Sequence, residues 1–186
     1  GYGGILFNGI NSQGVVVGTV GRSLAGFSEP YRTGVINVDP TTGELGTSMF
    51  PLDQVFGEAL GDLNEAIPPD APKWRIAYGR SVTASGLVAC SLLPEDQAKN
   101  GSPRLPAVGD LTTRTLTLLT TEDMGSPQFL IQLTESGHAL FQTPAGVRLF
   151  HRNPQHGTYA EVTLPTEVKT GLTAAGTSSG INLSMN

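Results

Sequence analysis

Apolar runs in this chain are short, and glycine or proline interrupts each of them: 24 Gly and 13 Pro are spread over 186 residues. At helix-interior positions glycine costs about 1 kcal/mol and proline about 3 kcal/mol relative to alanine. Helices of several turns are therefore disfavoured along most of the chain. The same residues supply the positive φ and the fixed φ that tight turns need. The expected fold class is mainly β: an antiparallel β-sandwich or barrel-like set of sheets built from hairpins.

Three segments carry a common pattern, an apolar run, a polar stretch ending in glycine, and a second apolar run. They are Ile5-Leu6-Phe7 with Ser12-Gln13-Gly14-Val15-Val16-Val17, Ile76-Ala77-Tyr78 with Ala84-Ser85-Gly86-Leu87-Val88, and Ala139-Leu140-Phe141 with Pro144-Ala145-Gly146-Val147. Each reads as a β-hairpin with its glycine at the turn. Their likeness is what an internal duplication leaves, and also what hairpins share in general. Further strands are expected over residues 34–38, leading into the turn Asp39-Pro40-Thr41-Thr42-Gly43. Residues 111–120 follow, where Leu116 and Leu118 alternate with threonine, then 129–134, expected to pair with them, and 159–164, stopped by Pro165.

One segment breaks the pattern. Leu52, Val55, Phe56, Ala59, Leu60, Leu63 and Ile67 recur at spacings of three and four, which predicts one short amphipathic helix over residues 52–67. Pro51 suits its first turn and Pro68-Pro69 ends it, while Gly57 and Gly61 weaken it, so packing must hold it. Its apolar stripe has two possible uses: covering a sheet of the same chain, or docking into a neighbouring subunit through Leu52, Phe56 and Leu60.

The polar, proline-bearing stretch 94–109 reads as a loop or linker between an N-terminal β part (1–93) and a C-terminal one (110–169). Residues 170–186 are nearly all small or polar and are expected to form an extended tail. Ile181, Leu183 and Met185 alternate there with period two, so the tail is expected to order as a strand against a neighbour.

The formal charge is −5 with 15% charged residues, which lacks the Lys/Arg excess of a phosphate-tracking protein, so no direct nucleic-acid contact is expected. No apolar stretch approaches the roughly 20 residues that span a bilayer, and no membrane insertion is expected. Gly1-Tyr2-Gly3-Gly4-Ile5 has no charged region before its apolar residues, so no signal peptide is expected, a leader removed ahead of it being left open. With Cys90 as the sole cysteine, an intramolecular disulfide and a multi-thiolate zinc site are excluded. Its place in Gly86-Leu87-Val88-Ala89-Cys90-Ser91-Leu92-Leu93 reads as that of a small buried hydrophobe.

Catalytic chemistry finds little purchase in this sequence. His151 and His156 flank the turn Arg152-Asn153-Pro154-Gln155 and approach one another there, but no carboxylate stands nearby and Arg148 and Arg152 repel a cation. A hydrolase-type Gly-x-Ser-x-Gly turn does not occur. The pairs Glu122–Asp123 and Glu95–Asp96 point to opposite faces on a strand or are solvated in a loop. No cofactor, no metal and no enzymatic activity are expected. Trp74, four Tyr and seven Phe leave an aromatic sugar platform open around Trp74, against core packing as the plainer use.

The opening Tyr2-Gly3-Gly4-Ile5-Leu6-Phe7-Asn8, followed by Ser12-Gln13-Gly14-Val15-Val16-Val17, resembles the start of small tail-tip and tail-fibre accessory virion proteins of long-tailed bacteriophages. The resemblance implies a structural virion protein, a subunit of a phage tail or tail tip that assembles as a homo-oligomer with other virion tail proteins. It implies localisation in the virion, assembled in the bacterial host cytoplasm, and no catalytic residues. The helix at 52–67 and the stretch 94–109 stand outside it. The alternative expectation is a secreted or surface-bound module that binds glycan or a host surface.

Overall fold

The structure, a computed structural model, describes residues 2–22, 32–39, 41–44, 46, 49–66, 68–70, 73–95, 105–120, 129–143 and 146–167. Among the described residues the chain runs β1 (Tyr2–Ile10), β2 (Val15–Arg22), β3 (Arg32–Asn37), β4 (Phe50–Pro51), α1 (Leu52–Val55), α2 (Gly57–Glu65), β5 (Trp74–Val82), β6 (Leu87–Pro94), β7 (Leu105–Asp110), β8 (Thr115–Leu118), β9 (Phe129–Leu133), β10 (Ala139–Thr143), β11 (Gly146–Arg152) and β12 (Tyr159–Val162). The chain is mainly β, as the glycine and proline spacing requires.

These strands form three four-stranded sheets, β1-β2-β3-β4, β5-β6-β7-β8 and β9-β10-β11-β12, each an antiparallel meander in chain order. The sheets stack face to face with the second in the middle. On β6, Val88, Cys90 and Leu92 belong to a core shared with Val17 and Val35 of the first sheet. The alternate residues Leu87 and Ala89 belong to a core shared with Leu133, Ala139, Phe141 and Phe150 of the third. Successive strand residues point to opposite faces, so every residue of β6 is buried.

The layers are repeats, and their turns prove it atom by atom. At the first hairpin of each sheet, Asn11, Thr83 and Thr134 each donate their N–H to the carbonyl four residues on, at 3.0, 2.9 and 2.9 Å. Their side-chain oxygens accept the N–H of Val15, Leu87 and His138 at 2.8, 3.0 and 2.9 Å. The glycines Gly14, Gly86 and Gly137 all have positive φ, between +75° and +87°, a region that costs other residues about 1–2 kcal/mol. At the last hairpin, Asp39, Asp110 and Asn153 each accept two backbone N–H groups, from Thr41 and Thr42, Thr112 and Thr113, and Gln155 and His156. Gly43, Arg114 and Gly157 then take the left-handed position.

The first two hairpin motifs in the sequence are thus equivalent, but the third belongs elsewhere in its sheet. The equivalent of Ser12-Gln13-Gly14 and Ala84-Ser85-Gly86 is Glu135-Ser136-Gly137, between β9 and β10, whereas Gly146 lies at the start of β11. Likewise 111–120 is not one strand: Asp110 draws 111–114 into a turn and β8 begins at Thr115. The expected pairing of 129–134 with it does not occur, because β8 ends the second sheet and β9 belongs to the third. The stretch 94–109 is no boundary between sheets either, since β6 and β7 pair across it and 105–109 are strand.

Residues 52–65 form two helices in place of one. Phe56 turns out to φ −104°, ψ 23° ahead of Gly57, although its N–H still reaches Leu52 O at 2.9 Å and Leu60 N–H reaches Phe56 O at 2.8 Å. Helix α2 ends at Glu65, and residue 67 lies outside the described residues. Asp53 Oδ1 accepts the Ile76 N–H at 2.7 Å. Asn64 accepts the Trp74 N–H at 2.6 Å and donates to the Trp74 carbonyl at 2.9 Å, as a paired strand residue would. The helices thereby satisfy backbone groups of β5, an edge strand of the second sheet.

Candidate interaction surface

The residues expected to make assembly contacts fall in two places. Leu52, Phe56 and Leu60 are 0%, 0% and 8% exposed, inside the core between the first and second sheets. Their stripe is used within the chain, so the expectation that it docks into a neighbouring subunit gives way to the covering role. Gly109 shows how tightly: a Cβ there would meet the Phe56 ring, 2.6 Å from Cε2 and 3.0 Å from Cε1. Gly79 does the same for the first sheet, since a Cβ would lie 2.7 Å from side-chain atoms of both Thr33 and Val17. Ile181, Leu183 and Met185 lie outside the described residues.

The imidazoles are arranged differently from the sequence expectation. His151 stacks on His138, with ring centroids 4.4 Å apart, while His156 is exposed in the turn that Asn153 organises. His138 Nδ1 accepts the Arg152 N–H at 3.1 Å, a bond that needs an unprotonated nitrogen. Burial, and then the neighbouring His151, push its pKa below the ordinary histidine value. Cys90 is buried, and desolvation raises its thiol pKa to about 12, so it is held as an inert thiol. Trp74 is partly buried against the core of the first two sheets. Glu95 is exposed, and residues 96, 122 and 123 lie outside the described residues. Among the described residues, no group of three or more His, Cys, Asp or Glu side chains is placed to hold a metal ion, and no helix is long and apolar enough to cross a membrane.

What the structure does assemble is an apolar face on the first sheet. Cross-strand partners share a face, and the rows Ile10–Val16–Ile36 and Phe7–Gly18–Gly34 lie on the side turned away from the second sheet. Ile10 is 64% exposed and Phe7 55%, while Val16 and Ile36 are 5% exposed. Asn8 and Gly9 share a bulge that turns both toward the second sheet, where Asn8 Nδ2 donates to Gly79 O at 2.8 Å and Gly9 lies close to the backbone of Arg80 and Ser81. The bulge is what puts Phe7 and Ile10, three apart, on one face. They line a groove of about 440 Å³ with Val16, Val38 and Gly43. Phe50, 54% exposed at the sheet's far edge, pairs with Val35 and so lies on the opposite face.

Sequence reasoning placed Phe7 in the apolar run of a hairpin and did not single out Ile10, because exposure on a sheet face depends on whether another layer covers it. The available signal was the turn register: aligning Asn11, Thr83 and Thr134 shows which apolar positions recur and hence which face each occupies.

No protein-family model matches the chain, and no curated protein matches it. Among solved structures, the crystal structure of TolB from Acinetobacter baumannii aligns with 87% of this chain at 15% identity and a TM-score of 0.41. This chain spans 32% of that one, and a likeness so distant carries no argument about fold or function.

Proposed function

We propose that the chain is a non-catalytic assembly module, a stack of blade-like sheets that works by offering the outer face of its first sheet to another protein. The observation that carries this reading is the groove walled by Phe7 and Ile10, both more than half exposed on a chain whose other apolar strand residues are mostly buried. Apolar surface left in water costs about 25 cal/mol per Å² relative to burial, and grooves of this kind mark interaction sites. The lining is aliphatic and aromatic, with the Asn8 amide directed inward to Gly79 O. That chemistry suits a protein surface better than a glycan, which needs convergent hydrogen-bonding groups beside an aromatic ring. A phage tail or tail tip is the setting this reading favours, since such particles are built from repeated apolar contacts among β-rich subunits.

The reading is tested by placing a photo-crosslinking phenylalanine analogue at position 7 in the producing cell, with position 113, exposed in the β7–β8 turn, as the control. Cross-links from position 7 to peptides of one defined protein, absent from position 113, are the expected result. Adducts confined to carbohydrate or lipid, or no position-specific adduct, would overturn it.

A further inference from the structure

Two histidines meet at one end of the third sheet, away from the groove on the first. The β10–β11 ladder stops at the pair Ala139 and Phe150, yet the Arg152 N–H beyond it still finds an acceptor, His138 Nδ1 at 3.1 Å. The imidazole stands in for the carbonyl that a longer ladder would present. Its own backbone is fixed by the turn, since the His138 N–H donates to Thr134 Oγ1 at 2.9 Å and the His138 carbonyl accepts the Thr134 N–H at 2.9 Å. His151 points away from the second sheet, because its neighbour Phe150 is buried in the core shared with that sheet and successive strand residues alternate in direction. Its ring lies against His138, with centroids 4.4 Å apart.

Arg152 and the turn tie this end of the third sheet to the second. A Cβ on Gly137 would meet Arg152 Cδ at 2.5 Å and Leu87 Cδ1 of β6 at 2.8 Å, so the arginine side chain packs in the seam between the layers. Glu135 Oε2, in the same turn, accepts the Ala84 N–H of the second sheet at 2.7 Å. We infer that His138 is an acid-operated latch: unprotonated at Nδ1, it holds the Arg152 backbone and keeps this end of the third sheet closed on the second, and a proton at Nδ1 opens that end while the rest of the stack stays folded.

A protonated imidazole is a donor at both nitrogens and has no acceptor, so it cannot keep the Arg152 N–H. The surroundings give the charge no compensation. From β11 the ring meets His151 and Arg152, both basic. Glu135 is turned to Ala84, Glu161 of β12 is paired with Arg148, and Asp110 of β7 accepts the N–H groups of Thr112 and Thr113. Tyr159 of β12 packs toward the second sheet, where it feels the charges of Arg152 and Asp110. Each carboxylate named has a partner elsewhere, and the groups against the ring are basic. Burial, and then His151, hold His138 below the ordinary histidine value. The bond is therefore complete above about pH 6.5 and is lost as pH falls through the lowered value.

Amide exchange of the whole chain, followed residue by residue by NMR from about pH 7.5 to about pH 5 and corrected for the intrinsic rate at each pH, tests the latch. The protection of the Arg152 N–H should fall by about tenfold or more as the His138 ring titrates, with that of Val88 in β6 unchanged. His138→Asn places an amide oxygen, which does not titrate, where Nδ1 stands, so Arg152 should stay protected across the range. His138→Phe keeps a ring against His151 without an acceptor, so Arg152 should be unprotected throughout. Constant Arg152 protection through the wild-type titration overturns the inference, as does full protection in His138→Phe or an undiminished fall in His138→Asn. A loss at Val88 in step with Arg152 overturns it too, since acid would then be unfolding the molecule as a whole.

Discussion

The wedge of α1 and α2 between the first two sheets makes a quantitative demand on Gly109 and Phe56. The atoms a Cβ at 109 would strike are Cζ, Cε2 and Cε1 of the Phe56 ring, and Phe56 is fully buried. Gly109→Ala alone should therefore destabilise by about 1–3 kcal/mol, the usual cost of forcing a methyl into a packed core. Phe56→Leu removes those three ring atoms and should cost about 1–2 kcal/mol by itself. In that background the methyl at 109 enters the vacated space, contributing roughly 0.8 kcal/mol for a buried CH₂, with a further ~0.4–1 kcal/mol from the reduced freedom of the unfolded chain. The Gly109→Ala step should thus reverse sign, giving a coupling of about 2–5 kcal/mol between the two sites. Urea unfolding of the four proteins, extrapolated linearly to water, reads it directly. Equal costs of Gly109→Ala in both backgrounds, within about 0.5 kcal/mol, would refute the packing of α1–α2 onto β7.

Three further outcomes are expected. Gly86→Ala should cost about 1–2 kcal/mol from its positive φ alone, since its Cβ would make only ordinary contacts with Thr112 and Leu111, whereas Gly14→Ala should cost more because its Cβ would also strike the Val38 carbonyl; equal melting temperatures for the two variants would contradict the turn geometry. Because the pKa of His138 is lowered in the fold, the unfolded chain binds its proton first on acidification. Its stabilising contribution is complete above about pH 6.5 and declines as pH falls below that toward the lowered value, and an NMR titration should find its midpoint below 6.5, a value at or above this being the contrary result. Cys90, with its thiol pushed up to about 12, should resist a disulfide reagent at pH 8 in the native protein and react at once in urea; prompt native labelling would contradict its burial.

Much of the fold was legible because local chemistry determines it. Gly14 and Gly86 are needed for positive φ, the Asp39 carboxylate organises a turn by accepting the N–H groups of Thr41 and Thr42, and Leu52, Phe56 and Leu60 share a helical face across the kink at Phe56. The layering was not legible in the same way. Leu87 to Leu93 reads as one apolar run, and only the alternation of its contacts between two cores reveals a strand covered on both faces. The repeat was obscured because its marker is a hydrogen-bonding role filled by Asn11 in one sheet and by Thr83 and Thr134 in the others. The groove depends on a bulge at Asn8-Gly9, and a one-residue slip of this kind reverses which side chains face out.

The claim underlying all of this is that the second sheet is the interior layer of a repeated stack. Native-state hydrogen exchange tests it most directly, since burial on both faces confers protection that only global unfolding removes. The slowest amides in the protein should belong to β6, with Val88, Ala89 and Cys90 exchanging only as the whole molecule unfolds and the paired amides of the outer strands β4 and β12 exchanging first. Protection of β6 no greater than that of β10 and β11 would contradict the stack.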